Sequence, residues 1–187
     1  MQWTWIVLGI VALLILALIG TYNGLVARRQ RVRDAWANVD TELRRRLDLI
    51  PNVVETVKGY ASHEREVFEK VTQARAAAAG AATPAAAAAA EGPLTAALRQ
   101  LFAVAEAYPD LKANQNFLAL QTELSSTEDR IASMRTRYNG TVRDLNEAVQ
   151  RFPAVLIARS FGFTEETYFE VEQAVRDAGA PKVDFSN

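Results

Sequence analysis

Apolar residues follow two different patterns along the chain. From Trp3 to Gly20 the sequence is almost wholly apolar on every helical face, WTWIVLGIVALLILALIG. A bilayer core of about 30 Å needs about 20 helical residues, and a buried helix rarely stays apolar all round for so long. Trp5 and Tyr22 lie near the ends of the run, where interfacial aromatic residues tend to lie. Residues 1–27 are therefore predicted to form a transmembrane anchor.

A cleaved signal peptide is the main alternative for this segment. Such a peptide has a basic start and a small-residue cleavage site. No basic side chain precedes Trp5, and no A-x-A pattern follows the apolar run. We therefore expect the anchor to be retained.

After the anchor, apolar residues recur every three or four positions from Val32 to Val71. This spacing is typical of one face of a helix. Pro51 lies inside the stripe and removes a backbone donor. Because the stripe keeps its phase on both sides of Pro51, we expect a kink. The pattern predicts one helix from Trp3 to about Ala78, on the order of 110 Å long.

An alanine-rich stretch, residues 74–93, follows this helix. It is interpreted as a linker and turn with a short helix at Ala85–Ala90, since glycine and proline interrupt helices. A second helix is predicted at about Leu94–Ala107. The interrupting residues are Gly80, Pro84, Gly92 and Pro93.

A seven-residue apolar repeat marks the third helix, predicted at about Leu111–Arg151. Such a repeat indicates long, nearly parallel packing with left-handed supercoiling. A final helix is predicted to start at Thr164, a suitable N-cap residue, and to end at Gly179 and Pro181. The repeat comprises Phe117, Leu124, Ile131, Tyr138, Leu145 and Phe152, accompanied by Leu120, Met134 and Ala148.

These elements predict an all-α protein without strands. The transmembrane helix continues into an antiparallel, coiled-coil-like bundle of three to four helices, two of them much longer than the others, formed by residues 28–187. Four arginines within six positions follow the anchor, and arginine accumulates on the cytoplasmic side of membrane helices. The protein is therefore predicted to cross the bacterial inner (plasma) membrane once, with its amino terminus outside and the bundle in the cytoplasm. The arginines are Arg28, Arg29, Arg31 and Arg33.

The chain offers little material for catalysis. It has no cysteine and one histidine, His63, so neither a di-iron pair of Glu-x-x-His motifs nor an H-E-x-x-H zinc site can form. The net charge of −1 without a concentrated basic face argues against nucleic-acid binding. We expect no catalytic residue, metal, cofactor or small-molecule substrate. Arg46 and Glu64, near the apolar stripe, are interpreted as partners in buried ion pairs, although one of them reaching a partner protein stays an alternative.

Self-association is predicted near the membrane. Gly20 and Gly24 form a G-x-x-x-G spacing that lets helices approach closely, although chance explains so short a motif about equally well. The second helix is too short to cover the first, so part of the apolar stripe would be exposed there and available to a second copy. The alternative is that the carboxyl-terminal helix or the segment from Phe152 to Phe163 covers it. The candidate residues are Gly20, Gly24, Val32, Trp36, Val39 and Leu43.

Several stretches together resemble the LemA family of bacterial membrane proteins. They are YNGLV after the anchor, RRRLDLIPNVVETVKGYASHE at Arg44–Glu64, the Ala74–Arg75 pair, YNGTVRDLNEAVQRFP at Tyr138–Pro153 and FGFTEETYFE near the end. The resemblance implies one membrane helix with its terminus outside and a cytoplasmic helical bundle. It implies no established enzymatic activity and no agreed molecular role, so no catalytic residue is carried over.

Three functional hypotheses follow. The first is a non-catalytic, membrane-anchored scaffold that contacts the lipid bilayer and forms homo-oligomers or docks partners. The second is an accessory or regulatory subunit of a neighbouring membrane enzyme such as a peptidase, with a membrane protein as its partner. The third, an enzyme using carboxylates such as Glu64, is disfavoured because acidic pairs on helices are usually solvated.

Overall fold

The computed structural model describes residues 2–170, and in this range the chain is helical without strands. The predicted all-α class, with a long apolar amino-terminal helix, is confirmed. Six helices follow one another: α1 Gln2–Lys58, α2 Arg65–Ala79, α3 Pro84–Glu106, α4 Pro109–Lys112, α5 Gln115–Gln150 and α6 Ala154–Ser160.

The chain folds as two compact units, each built from segments far apart in sequence. Unit 1 contains residues 2–38 and Thr136–Thr167, whereas unit 2 contains Val39–Arg135 and the described residues from Tyr168 onward. Both α1 and α5 contribute residues to each unit. The two longest helices therefore supply the framework of both.

Helix α1 is continuous through Pro51, and the kink expected there stays a prediction. The helix ends earlier than expected. Its 57 residues correspond to a length of about 85 Å. The predicted continuation to about Ala78 is wrong, because the chain leaves the helix at Gly59. There the amide of Tyr60 donates to the carbonyl of Val57 at 3.0 Å, which closes the last turn. A turn then separates α1 from α2.

The alanine-rich stretch is mostly helical, and the linker predicted at residues 74–93 shrinks to Gly80–Thr83. Helix α2 runs to Ala79, and Thr83 caps α3 by accepting a hydrogen bond from the Ala86 amide at 3.2 Å. Pro84 starts α3 because a proline at the first helical position loses no intrahelical bond. Alanine on both sides favours helix strongly enough for α3 to continue through Gly92 and Pro93.

The core of unit 2 joins the second half of α1 to α2, α3 and the start of α5. The first turn of α5 is fixed by Asn114, whose side-chain oxygen accepts from the amides of Asn116 and Phe117 at 2.9 and 3.1 Å. This cap explains why the helix predicted from Leu111 starts at Gln115, with the short α4 before it. Central core residues are Ile50, Val53, Val57, Phe68, Val71, Leu94, Leu98, Leu101, Phe117 and Leu124.

The seven-residue repeat of α5 is buried at five of its six positions. Phe152 is the exception, because α5 ends at Gln150, and the side chain is 77% exposed. In the last turns Val142 and Val149 are buried, whereas Ala148, which was expected in the seam, is only half-buried. This shift by one residue is the drift expected when a helix of 3.6 residues per turn departs from a strict 3.5-residue repeat.

The helix predicted from Thr164 is not formed through residue 170. This segment is held in non-helical form by α5: Asn146 bonds the amide and the carbonyl of Glu166 at 2.8 and 3.0 Å, and Tyr138 donates to the carbonyl of Thr167. These hydrogen bonds pair the backbone groups of Glu166 and Thr167 with side chains of α5, whereas in a helix the same groups would pair with the backbone of the helix itself. The predicted end at Gly179 and Pro181 lies outside the described residues.

Candidate functional site

The amino-terminal part of α1 exposes an apolar surface on all sides. Through Gly20 the described side chains are all exposed, including Trp3, Leu13 and Leu16. Of the helices in residues 2–170, α1 alone is long and apolar enough to cross a membrane, and none of its most apolar window is buried. An apolar surface of this size requires an apolar environment.

Aromatic rings and arginines meet where the apolar segment ends. Tyr22 contacts Phe161 and Phe163 edge to face, with ring centroids 5.1 and 5.7 Å apart. The guanidinium of Arg29 lies 4.6 Å from the centre of the Phe163 ring, within the range of a cation–π contact. The segment after α6 thus packs beside the first turns that follow the apolar run.

The candidate self-association residues fall into two groups. Val32, Val39 and Leu43 are buried within one chain, so they do not form the exposed stripe that was expected. Trp36 is half-buried and packs edge to face on Tyr138, 5.6 Å away. This cover comes from α5 of the same chain, not from the carboxyl-terminal helix or the Phe152–Phe163 segment given as the alternative.

Gly20 and Gly24 are placed differently. A Cβ atom at Gly20 would meet nothing within 4 Å, and one at Gly24 would meet only the Arg28 side chain. The face of the G-x-x-x-G motif is therefore open at Gly20. Of the six candidates, it is these glycines that remain suited to a contact between neighbouring anchors.

A buried ion cluster lies in unit 2. Arg46 is 1% exposed and donates to both carboxylate oxygens of Glu91, one of them at 2.9 Å, and to Glu128 at 3.2 Å. Burial alone would lower the pKa of Arg46, but the hydrogen bonds and charges of Glu91 and Glu128 outweigh it and raise the pKa. The arginine therefore stays charged and ties α1 to α3 and α5, as the structural interpretation of Arg46 proposed.

A second, more exposed cluster surrounds Arg130. Its guanidinium donates to Glu42 at 2.9 Å, to Ser126 at 2.8 Å and to Glu123 at 3.2 Å. Glu64, the other residue singled out with Arg46, lies at the start of α2, and its side chain makes no capping hydrogen bond.

Sequence reasoning missed the acidic partners of Arg46. Glu91 carried a signal, because it is the only charged residue between Arg75 and Arg99. A lone carboxylate in an apolar helix implies a buried cationic partner.

The two ion clusters of unit 2 join α1 to α3 and α5. In the described part of the chain, no group of three or more His, Asp or Glu residues is placed to hold a metal ion. A shallow open groove of about 340 Å³ lies between α3 and α5, lined by Leu98, Phe102 and Leu124 among others. Its walls are mainly apolar, and Glu128 at its edge is bonded to Arg46.

Tyr138 joins the buried seam of unit 1 to the segment after α6. Its hydroxyl donates to the carbonyl of Thr167 at 2.8 Å. Burial, with a smaller contribution from the charge of Glu166, raises the pKa of Tyr138 from 10.0 to about 12. The neutral phenol is therefore the form that the fold stabilises.

The Tyr138→Phe variant should lose about 1 kcal/mol of stability at pH 8, the usual net contribution of one hydrogen bond. Because the folded pKa is raised, the contribution of the neutral phenol is complete below pH 10 and is lost as the pH rises towards 12. Urea unfolding of the unaltered protein and the variant should thus show a smaller difference in the free energy of unfolding at pH 11 than at pH 8. A difference in the free energy of unfolding that does not change with pH would contradict the raised pKa of Tyr138.

Comparisons of this chain with a family model and with known proteins point to one family. The model of the LemA family matches residues 35–185. The chain is 26% identical over 194 residues to magnetosome protein MamQ of Magnetospirillum gryphiswaldense, an alignment covering 90% of this chain and 71% of that protein. It is 24% identical over 162 residues to protein LemA of Metamycoplasma hominis, covering 84% and 73%. Because the family model spans most of the chain, this protein belongs to the LemA family.

Proposed function

We propose that this protein is a non-catalytic helical scaffold that crosses the bacterial inner membrane once and presents its folded units in the cytoplasm. The observation that carries the proposal is the continuity of α1, in which an exposed apolar segment and residues of both folded units share one helix. The arginines after Ala27 favour a cytoplasmic location for the units.

The arrangement of charged groups supports a non-catalytic role. The carboxylates nearest the core, Glu91 and Glu42, each accept hydrogen bonds from an arginine side chain. Neither of the relatives' names, magnetosome protein MamQ and protein LemA, denotes an enzyme. A scaffold that works through its surfaces requires no perturbed catalytic group.

Self-association of the anchors is part of the proposal. The open face at Gly20 and the small residue one turn later, Gly24, would let two apolar helices approach closely. Confinement to one membrane raises the effective concentration of the anchors, so a weak contact suffices.

The native mass of the full chain, extracted in mild detergent, tests the scaffold role and the self-association of the anchors. We expect a homo-oligomer, and we expect Gly20→Leu to shift it towards the monomer by blocking close approach. Gly9→Leu is the matched control, because Gly9 lies in the same apolar segment and a Cβ atom there would also meet nothing within 4 Å.

Three other outcomes would count against the proposal. A membrane enzyme co-purifying in fixed stoichiometry would favour the accessory-subunit alternative. A monomer for the unaltered chain would overturn self-association. Equal effects of the two glycine substitutions would show that the G-x-x-x-G face is not the contact.

A further inference from the structure

Large apolar side chains are exposed in one compact region beyond the apolar segment of α1. The turn after α5, helix α6 and the residue after it expose Phe152, Leu156 and Phe161 by 77%, 58% and 53%. A soluble surface rarely exposes two phenylalanines and a leucine within ten residues without an interaction to cover them. We call residues 152–161 the α6 segment.

The α6 segment lies level with the end of the apolar run. In unit 1, Trp36 on α1 packs against Tyr138 on α5. The two helices run in opposite directions, so twelve residues beyond Tyr138 and twelve before Trp36 bring Gln150, the end of α5, to the level of Gly24, about 18 Å away along the axes. Phe152 follows two residues later. The ring contact of 5.1 Å between Tyr22 and Phe161 places the other end of the segment at the same level independently.

This level is the boundary of the membrane segment. Tyr22 follows the apolar run by two residues, and the first charged side chain comes six residues later, at Arg28. Side chains at the level of Tyr22 therefore lie where a bilayer changes from acyl chains to headgroups.

The α6 segment also has the two faces of an interfacial helix. Ala158 and, just after the segment, Phe163 are buried within the protein, whereas Leu156 on α6 and Phe152 in the turn before it are exposed. Arg159 on α6 is exposed as well. Apolar side chains flanked by arginine are typical of segments that lie in the plane of an anionic membrane surface.

We propose that the α6 segment is a second membrane contact, which inserts Phe152, Leu156 and Phe161 into the headgroup region of the leaflet nearest the arginines. Exposed Arg151 and Arg159 bind anionic lipid headgroups there. The proposal rests on the membrane anchoring of α1 proposed above. Two points of attachment fix the orientation of unit 1 at the membrane surface. With a single helix crossing the bilayer, unit 1 would be free to rotate about the axis of that helix.

Fluorescent labels at single cysteines test this contact in the full chain, which has no cysteine of its own. An environment-sensitive dye is placed at Leu156→Cys, at Leu13→Cys in the anchor and at Leu118→Cys, an exposed leucine of unit 2. The proteins are reconstituted in phosphatidylglycerol-containing vesicles with bromine on the lipid acyl chains. We expect quenching at position 13 by bromine at any depth, quenching at 156 mainly by bromine near the headgroups, and no quenching at 118.

The labels separate failure of this contact from failure of the anchor. Quenching at position 13 without quenching at 156 would overturn the second contact and leave the anchor intact. No quenching at position 13 would overturn the anchor itself. Blue-shifted emission at 156 that disappears on dilution of the protein in the membrane, without bromine quenching, would assign the face to a second copy and overturn the lipid contact.

Substitutions within the α6 segment supply the matched test. With the label at 156, Phe152→Ser combined with Phe161→Ser should abolish the quenching, while Leu118→Ser should leave it unchanged. Arg151→Gln with Arg159→Gln should weaken quenching in vesicles containing phosphatidylglycerol and have little effect in phosphatidylcholine alone. Unchanged quenching in the double serine variant, with native helix content, would contradict the proposal.

Discussion

Replacing Ile131 with aspartate is expected to unfold unit 2 or to lower its melting temperature by far more than any surface substitution. Ile131 is 3% exposed at the middle of the α5 seam. A carboxylate without a partner in such a position costs several kcal/mol, a large share of the 5–15 kcal/mol typical of a folded domain.

The melting curve of the full chain in detergent, followed by circular dichroism, measures this effect. Ser133→Asp is the control, because Ser133 lies two residues further on α5 with its side chain exposed. Equal melting temperatures for Ile131→Asp and the unaltered protein would show that the seam is not a packed interior.

The second large loss of stability is expected when the buried ion cluster around Arg46 is broken. Glu91→Leu should destabilise unit 2 by about 3 kcal/mol, because it leaves Arg46 buried with only the half-exposed Glu128 as a carboxylate partner. The double variant Arg46→Met with Glu91→Leu should recover most of the loss, since an apolar pair of similar volume carries no buried charge.

Chemical denaturation of the two single variants and the double variant forms a complete mutant cycle. Arg44→Ala is the control: Arg44 pairs with Asp40 on the helix surface, and we expect no measurable change on its removal. A double variant as unstable as the sum of the single variants would show that Arg46 and Glu91 act independently.

The long-range features of this sequence were easier to predict than its local breaks. The apolar run before Gly20 and the repeat through Phe117 and Leu145 predicted α1 and α5, because burial of a regular face dominates long helices. Pro84 and Gly92 were interpreted as interruptions, yet α3 includes both, since Thr83 caps it and alanine propensity offsets the glycine.

The pairing of distant side chains could not be predicted from one sequence. Arg46 was recognised as an ion-pair residue, but its partner Glu91 lies 45 residues away and is brought near only by the path of α2 and α3. Thr164 shows the same limitation, because its favourable cap is overridden by bonds from Asn146 to the backbone of Glu166. Such contacts depend on tertiary structure and override local propensity.

The exposed Phe152 illustrates how a departure from a pattern can be informative. The repeat predicted a buried residue at this position, but α5 ends two residues earlier and the Phe152 side chain is 77% exposed. The same spacing that packs the interior of α5 thus ends in the aromatic residue that we assign to the membrane surface.

The orientation of α1 in the membrane tests the account most directly. Single cysteines at Gln2 and at Leu118 lie on opposite sides of the apolar segment in sequence, and both side chains are exposed. Spheroplasts of a bacterium expressing each variant are treated with a membrane-impermeant maleimide before and after permeabilisation. We expect Gln2→Cys to react in intact spheroplasts and Leu118→Cys to react only after permeabilisation. Reaction of Leu118→Cys in intact spheroplasts, or recovery of the full chain in the soluble fraction, would contradict a membrane-anchored scaffold facing the cytoplasm.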